Sequence, residues 1–319
     1  VDIPVIPSYH VSSIKVEEIS GPGNEMHILA ASISVFIKNV YPIEFDLPAL
    51  EFKVLAQGCN NSLIELTRAF IQPAHFKPRS GVTVKLRANF RELPKTILEP
   101  CSESNSSPLD MLLTDYAHGK NIIMFIQELT SSGFQKLKWV TDIMSNMTLP
   151  VSVPSHQFNS LIRNFTLTDT QFKLPDVFAE PGSDEGNPHL SGRIRAIVDI
   201  PREMNLNISV NRFRATVKTL YKEQLFGTIS IHRWQTAKSE QFQRPNDGGL
   251  SIRVESFVDN APLKITDENI FADIVQALLI NRGNVLLQVE ALLDIELFTI
   301  LGQFVIHGIP AEGNVPIKV

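Results

Sequence analysis

The chain has 319 residues, of which 43% are hydrophobic and 20% are charged. That length predicts about two domains, each with its own core, and the apolar fraction excludes wholesale disorder. Lysine and arginine total 29 against 34 aspartate and glutamate residues, so the net charge is −5. We expect no nucleic-acid partner, because binding to phosphates relies on an excess of positive charge.

The first ten residues, VDIPVIPSYH, contain neither an initiator methionine nor a basic segment that leads into an apolar run. We therefore expect no signal peptide here and interpret the sequence as a piece of a longer protein, with its membrane anchor elsewhere. The longest apolar stretch, residues 285–306, contains Glu290, Asp294 and Glu296. Three carboxylates argue against a membrane-spanning helix in this stretch.

Apolar and polar residues alternate with a period of two along several segments. The pattern is clear in residues 82–90, 206–210, 213–217 and 250–254. Such alternation is typical of antiparallel strands that have one face on a core and the other in water. The sequence therefore predicts a mostly β fold.

Two helices are predicted between these strands. The first begins with a capping-box pattern, in which Ser107 and Asp110 flank Pro108. The second follows Thr266, the expected N-cap, and has acidic residues in its first turn. A short apolar strand follows each helix, so each half of the chain has one short helix in its last third.

The two halves of the chain resemble each other. Residues 27–34 resemble residues 189–195, and residues 119–127 resemble residues 283–290. Matches that recur in the same order, at offsets of about 160 residues, indicate two copies of one unit.

Segments rich in proline end the two copies, at residues 149–155 and 308–319. Proline fixes φ and disfavours the helical region for the residue before it, so we expect extended linkers in both places. We therefore assign one domain to residues 1–150, a second to residues 151–310, and a linker to a following segment to residues 311–319.

The two cysteines, Cys59 and Cys101, lie in polar sequence rich in turn formers. A disulfide between them would close a loop of about 40 residues and contribute about 4 kcal/mol of stability; the alternative is two free thiols in a cytosolic protein. Five N-glycosylation sequons also occur, at Asn60, Asn105, Asn146, Asn164 and Asn207. Together these features favour the lumen of the secretory pathway.

Motifs that carry chemistry are missing from the sequence. The eight histidines form no HExxH pattern, and the sequence has no CxxC, GxSxG, Walker or GxGxxG motif. We therefore expect no catalytic residues, no bound metal and no cofactor, although a triad assembled from distant residues would leave no local signal.

Phenylalanine is the dominant aromatic residue, with 19 copies against 4 tyrosines and 2 tryptophans. The second predicted helix is apolar on most of its faces. The ordinary interpretation is that it packs in the core. The alternative is a groove between the sandwich and this helix for a lipid or an apolar peptide, with four candidate lining residues, Ile270, Phe271, Ile274 and Leu278.

A family resemblance rests on residues 37–52 and 108–127. In the first segment, Ile-Lys-Asn-Val-Tyr-Pro leads into a second apolar stretch, and in the second an apolar helix leads into a strand. This arrangement resembles the β-sandwich domains of the late-embryogenesis-abundant, water-stress type. Tandem copies with sequons resemble in particular the luminal regions of fungal single-pass vacuolar membrane proteins implicated in ending autophagy.

The resemblance implies a glycosylated, non-enzymatic array in the vacuolar lumen, anchored by a segment outside this sequence. It also implies a protein partner at or near the vacuolar membrane, for which the proton pump is a candidate by location. Lipid binding or transfer remains the alternative function. We therefore predict two tandem antiparallel β-sandwich domains, immunoglobulin-like and of the late-embryogenesis-abundant type.

Overall fold

The computed structural model describes residues 9–20, 27–40, 42–128, 148–155, 162–173, 175, 178, 186–279 and 285–317. The chain forms two compact units. The first comprises residues 1–157 with the short segments 203–207 and 299–302. The second comprises residues 158–202, 208–298 and 303–319.

The first unit is built mainly from strands. They are β1 (Tyr9–Ser20), β2 (His27–Lys38), β3 (Phe45–Leu47), β4 (Leu50–Gln57), β5 (Leu63–Ile71), β6 (Ala74–Phe76), β7 (Gly81–Phe90), β8 (Ile122–Glu128) and β9 (Thr148–Val153). Its helices are α1 (Lys95–Leu98) and α2 (Pro108–Ala117). The second unit has β10 (Ile162–Lys173), β11 (His189–Asp199), β13 (Ile208–Tyr221), β14 (Gln224–Gln243), β15 (Leu250–Ile265), β16 (Val285–Thr299), β17 (Gly302–Ile317) and the helix α3 (Glu268–Leu279). The short strand β12 (Met204–Asn205) belongs to the first unit and pairs with β1.

The strands of the first unit follow the order β12-β1-β2-β7-β5-β4-β8-β9, and β3 and β6 form a separate two-stranded sheet. β7 pairs with β2 along its whole length but with β5 only from Ala69↔Ala88 to Ile71↔Leu86. This short contact divides the strands into two layers that face each other across the core.

The second unit follows the order β10-β11-β15-β14-β13-β16-β17. Its β14–β15 ladder is interrupted between the pairs Ile229↔Leu263 and Ala237↔Ser256. The interruption again separates two groups of strands, at the place equivalent to the β5–β7 contact of the first unit.

Both units share one topology. When β3, β6 and β12 are left aside, each has seven strands, whose neighbours run first, second, fifth, fourth, third, sixth, seventh. The longest helix of each lies between the fifth and sixth strands. Immunoglobulin-type sandwiches likewise group the first, second and fifth strands apart from the third, sixth and seventh. The prediction of two tandem antiparallel β-sandwich units with a helix near the end is therefore confirmed.

The alternation in the sequence becomes the two faces of the strands. In β7, Val84 and Ala88 are buried, whereas Lys85 and Arg87 point to solvent. The core of the second unit contains Phe226, one of the largest side chains that are fully buried. At about 25 cal/mol per Å² of apolar surface removed from water, such side chains are the main source of stability.

The start of α3 differs from the sequence prediction. Thr266 was the expected N-cap, but Asp267 fills that role, because its Oδ1 accepts hydrogen bonds from the amides of Asn269 and Ile270 at 3.0 and 3.1 Å. The Thr266 amide instead donates to the carbonyl oxygen of Phe226 at 2.8 Å. Thr266 therefore still belongs to the connection that fixes the helix against β14.

The two proline-rich segments are strands rather than linkers. Residues 148–153 form β9, so the predicted boundary at 150/151 falls inside a strand, and residues 311–317 form the end of β17. Both strands lie at the end of the strand order of their unit. An edge strand tolerates proline because the missing N–H can face away from the ladder, which explains Pro150, Pro310 and Pro316.

The first and last strands of the second unit approach each other. Thr170 Oγ1 on β10 donates to the carbonyl oxygen of Pro316 on β17 at 3.2 Å. Gly313 lies so close to Phe165 that a Cβ there would come within 2.6 Å of the ring atom Cδ1. The two ends of the strand order therefore meet at these residues.

Candidate interaction surface

A disulfide joins Cys59 and Cys101. Cys59 begins the 3-10 turn Cys59–Asn61, which the Ser62 hydroxyl closes by donating to the Cys59 carbonyl oxygen at 2.8 Å. Cys101 lies shortly before α2, so the bridge ties the β4–β5 turn to the region where this helix begins. The bond is the one expected from the sequence.

The sequons occupy different settings. The side chains of Asn60, Asn105 and Asn207 are exposed, and Asn164 lies in β10. Asn60 has φ 58°, a left-handed conformation that asparagine adopts more readily than most residues. Asn146 lies outside the described residues.

The Ser107 hydroxyl, part of the sequon at Asn105, also caps α2. It accepts a hydrogen bond from the Asp110 amide at 3.1 Å, and the Asp110 carboxylate accepts one from the Ser107 amide at 2.9 Å. Both side chains are buried, and the predicted capping box is present. The exposed Asn105 thus lies two residues before the Ser107 hydroxyl, which belongs to the sequon and also caps α2.

The four groove candidates on α3 divide into two pairs. Ile274 and Leu278 are 2% and 4% exposed, so they lie in the packed core. Ile270 and Phe271 are half-buried, and the Phe271 ring lies 6.3 Å from that of Phe172 on β10. A ligand that contacts all four residues would require the helix to move away from the strands.

A row of polar side chains crosses the outer face of the second unit. Arg212 Nε on β13 donates to Glu296 Oε2 on β16 at 2.7 Å, and Arg214 Nε donates to Asp294 Oδ2 at 2.7 Å. Both guanidinium groups lie over the Trp234 ring, at 4.9 and 5.0 Å from its centroid. This Trp–Arg–carboxylate row links β14, β13 and β16.

The row continues to β17. Asp294 accepts hydrogen bonds from the Gly308 amide at 3.0 Å and lies 3.2 Å from His307 Nδ1. Burial by itself raises the pKa of Asp294, but the hydrogen bonds from Arg214, Gly308 and His307 outweigh it and hold that pKa below its usual value. The carboxylate is therefore kept charged in a half-buried position.

An apolar strip lies beside this row. On β16 the buried residues alternate with exposed ones, and the exposed set includes Leu286 and Leu292, which are 57% and 58% exposed. Glu290 lies between them on the same face. The exposed Gln288 and Glu290 separate the two leucines on this face, and we call Leu286 and Leu292 together the β16 strip.

The β14–β15 hairpin is fixed by a second charged cluster. Arg244 Nε and Nη2 donate to the two carboxylate oxygens of Asp247 at 2.8 and 2.9 Å, and Arg244 Nη1 lies 2.8 Å from Asp199. Hydrogen bonds from Arg244, then from the Gly249 amide and from Arg202, hold the pKa of Asp247 well below its usual range. This cluster ties the hairpin to the end of β11.

Within the described ranges, no three histidine, cysteine, aspartate or glutamate side chains are grouped closely enough to bind a metal ion. No helix in the part of the chain that the structure describes is long and apolar enough to cross a membrane. The long-range pairs Arg212–Glu296 and Arg214–Asp294 were not predicted from the sequence, because alternation assigns residues to a face but does not say which strands are neighbours.

The fold thus defines a class, tandem immunoglobulin-like β-sandwich units. Within it, residues 204–318 match the family model described as the Tag1 C-terminal domain. This match includes α3, β13 to β17 and therefore both the Trp–Arg–carboxylate row and the β16 strip. No curated protein matches the chain.

Two solved structures illustrate how distant the structural similarities are. A partial N-terminal region of enterococcal surface protein matches with 8% identity and a TM-score of 0.16, covering 100% of this chain and 97% of that one. The BSP domain of a biofilm associated protein matches with 7% identity and a TM-score of 0.16, covering 97% of this chain and 59% of that one. At these TM-scores neither similarity carries an argument about function.

Proposed function

We propose that this chain is a non-enzymatic interaction region that faces the vacuolar lumen within a single-pass membrane protein. The observation that carries the proposal is the repeated unit, in which one strand order and one helix position occur twice. Many cell-surface domains share this sandwich architecture and carry their loops at the two ends of the sandwich. The match of residues 204–318 to the Tag1 C-terminal domain model is consistent with this proposal.

The luminal location has separate chemical support. Structural disulfides persist in oxidising compartments and are rare in the cytosol, which fits the Cys59–Cys101 bond. Exposed asparagines in three sequons, Asn60, Asn105 and Asn207, are available for N-glycans. Both features accord with a glycoprotein of the secretory pathway.

The partner in this proposal is a protein at or near the vacuolar membrane, with a role in ending autophagy. The proton pump is a candidate because it shares that membrane. We assign the contact to the β16 strip and the neighbouring Trp–Arg–carboxylate row, since tryptophan and arginine are enriched among binding hot spots.

The test is cross-linking of the full-length protein in intact vacuolar membranes, followed by identification of its neighbours. Leu292→Arg should abolish a reproducible cross-link, because it places a charge in the strip. Leu225→Arg, at an exposed leucine of the β13–β14 hairpin, is the matched control and should keep it. Equal cross-linking by both variants would overturn the assigned surface, and recovery of no vacuolar neighbour would contradict the proposed function.

Lipid binding in a groove beneath α3 predicts a different result. It requires displacement of the buried Ile274 and Leu278, so lipid uptake should increase when the helix is loosened by Leu278→Ala. Native mass spectrometry of the protein purified from membranes distinguishes the two functions. Copurified lipid that is lost on replacing Phe271 would favour the groove.

A further inference from the structure

The histidine on β6 lies between two carboxylates. His75 Nδ1 is 2.7 Å from Asp46 Oδ1, and His75 Nε2 is 3.0 Å from Glu44 Oε1. An ionised carboxylate only accepts hydrogen bonds, so both ring nitrogens must donate. A neutral imidazole has one N–H, and only the imidazolium can make both bonds. The geometry therefore corresponds to the protonated ring.

The three residues connect two segments of the first unit. Asp46 on β3 faces His75 on β6 in the small two-stranded sheet, and Glu44 lies just before β3. Next to this pair, the rings of Phe45 and Phe76 stack with centroids 4.6 Å apart. The His75 ring is thus the side-chain bridge from β6 to Glu44.

The base of the same connection is fixed independently of pH. Asn39 is 2% exposed, and its Nδ2 donates to the carbonyl oxygens of Ile43 and Lys77, each at 2.9 Å. Beyond this anchor, Val40, Ile43 and Phe45 are exposed. We call these three exposed residues the apolar patch; Ile43 and Phe45 flank Glu44 in the sequence, so the position of this segment depends on what holds Glu44 and β3.

We propose that His75, Asp46 and Glu44 form a proton-dependent clasp that fixes the apolar patch when the imidazole is protonated and loosens it when the proton is lost. On deprotonation the ring keeps at most one of its two hydrogen bonds. The other carboxylate is then released, and the patch gains an uncompensated negative charge. The surface offered by Val40, Ile43 and Phe45 therefore differs between acidic and neutral surroundings.

The charges around the ring set the direction of the switch. The hydrogen bond to Asp46 raises the pKa of His75 most; desolvation, the next largest cause, lowers it, the charges of Asp46 and Glu44 raise it, and Lys77 opposes them. The net result is a pKa above the ordinary 6.5. Because the folded-state pKa is raised, the clasp is fully present below pH 6.5 and is lost as the pH rises through the folded-state pKa.

The direct test is an NMR titration of the His75 ring in the whole chain. We expect its pKa to exceed 6.5, with both nitrogens protonated at acidic pH, and to fall in Glu44→Gln and Asp46→Asn. A His75 pKa at or below 6.5 in the wild-type protein would overturn the proposal. So would an unchanged pKa in both variants.

Hydrogen exchange tests the loosening itself. After correction for intrinsic rates, protection of the β3 and β6 amides should fall by about threefold between pH 5.5 and pH 8, the size expected for one exposed ion pair. His75→Gln should show the lower protection at both pH values.

His232→Gln, at an exposed histidine of β14, is the matched control and should behave as wild type. A pH-dependent loss of protection that persists in His75→Gln would refute the clasp. The result is independent of cellular location, so it does not depend on the proposed function.

Discussion

Individual residues of this protein join strands that lie far apart in the sequence. Arg212 and Glu296 are 84 positions apart, yet they connect the outer faces of β13 and β16. Glu296 has a side chain only 5% exposed, whereas Arg212 stays half-exposed over Trp234. A carboxylate in such a position depends on its partner, because an unpaired buried charge is costly.

Glu296→Ala should lower the free energy of unfolding by about 1.5–3 kcal/mol, the usual value of a hydrogen bond to a charged group. The loss leaves Arg212 without its acceptor on β16. Urea denaturation followed by tryptophan fluorescence measures the change. Glu290→Ala, at an exposed position of the same strand, is the control and should change stability by less than about 0.5 kcal/mol. Equal effects of the two substitutions would contradict this role for Glu296.

Asp247 gives a prediction about pH. Its pKa is held below the ordinary 3.8 by Arg244, the Gly249 amide and Arg202. The stabilisation is therefore present above pH 3.8 and is lost as the pH falls through the lower folded-state value. Asp247→Asn should be less stable than wild type at pH 6, and the difference should shrink towards pH 2.

Denaturation midpoints measured from pH 6 to pH 2 test this expectation. Asp273→Asn, at an exposed carboxylate on α3, provides the control. A stability difference between wild type and Asp247→Asn that stays constant down to pH 2 would show that the carboxylate charge has no part in the cluster.

Among the elements, α2 shows how a helix start can be predicted from sequence alone. The spacing of Ser107, Pro108 and Asp110 indicates a capping box, and the structure contains both of its hydrogen bonds. The N-cap of α3 lies one residue later than predicted, because Thr266 and Asp267 are both good caps and the Asp267 carboxylate accepts the amides of Asn269 and Ile270. Local chemistry thus predicts this helix start to within one residue.

Ser107→Ala should destabilise the protein by about 1 kcal/mol, since the Asp110 amide loses its acceptor. The measurement belongs in protein made without N-glycosylation, because the change also removes the sequon at Asn105. Ser107→Thr keeps a hydroxyl and should restore most of the stability. If alanine and threonine had the same effect, the hydrogen bond would not be the cause.

The proline-rich strands β9 and β17 show that an element cannot always be assigned from its own sequence. Pro150, Pro310 and Pro316 indicate extended linkers from the sequence, because proline fixes φ and keeps the residue before it out of the helical region. Both strands lie at an end of the strand order, where the missing N–H costs little. Whether a strand is central or at an edge is a property of the whole sheet, so proline content alone predicts the wrong element.

For the whole molecule, the repeat was the most informative sequence signal. The matched segments 27–34 and 189–195 lie in the second strand of their units. The matched segments 119–127 and 283–290 each include the first residues of the sixth strand. Because the matches follow the same order in both halves, the sequence predicts two copies of one unit. The order of neighbouring strands, and with it the Trp–Arg–carboxylate row, came only from the structure.

Removal of the disulfide is the prediction at this scale. The bond joins residues with a sequence separation of 42, for which the chain-entropy model gives about 4 kcal/mol. Cys59→Ser combined with Cys101→Ser should lower the stability of the first unit by about that amount and leave unfolding of the second unchanged. Calorimetry that resolves the two transitions tests this, and a shift confined to the second unit would contradict it.

The contact between β10 and β17 bears on how chains that contain several copies of this unit avoid exchanging strands. Neighbouring repeats with the same strand order risk exchanging equivalent strands during folding. In the second unit, Thr170 on β10 donates a side-chain hydrogen bond to Pro316 on β17, although the two strands stand at opposite ends of the strand order. An edge strand is where a foreign strand would pair, and Pro310 and Pro316 on β17 hinder such pairing because they lack the N–H that a ladder needs.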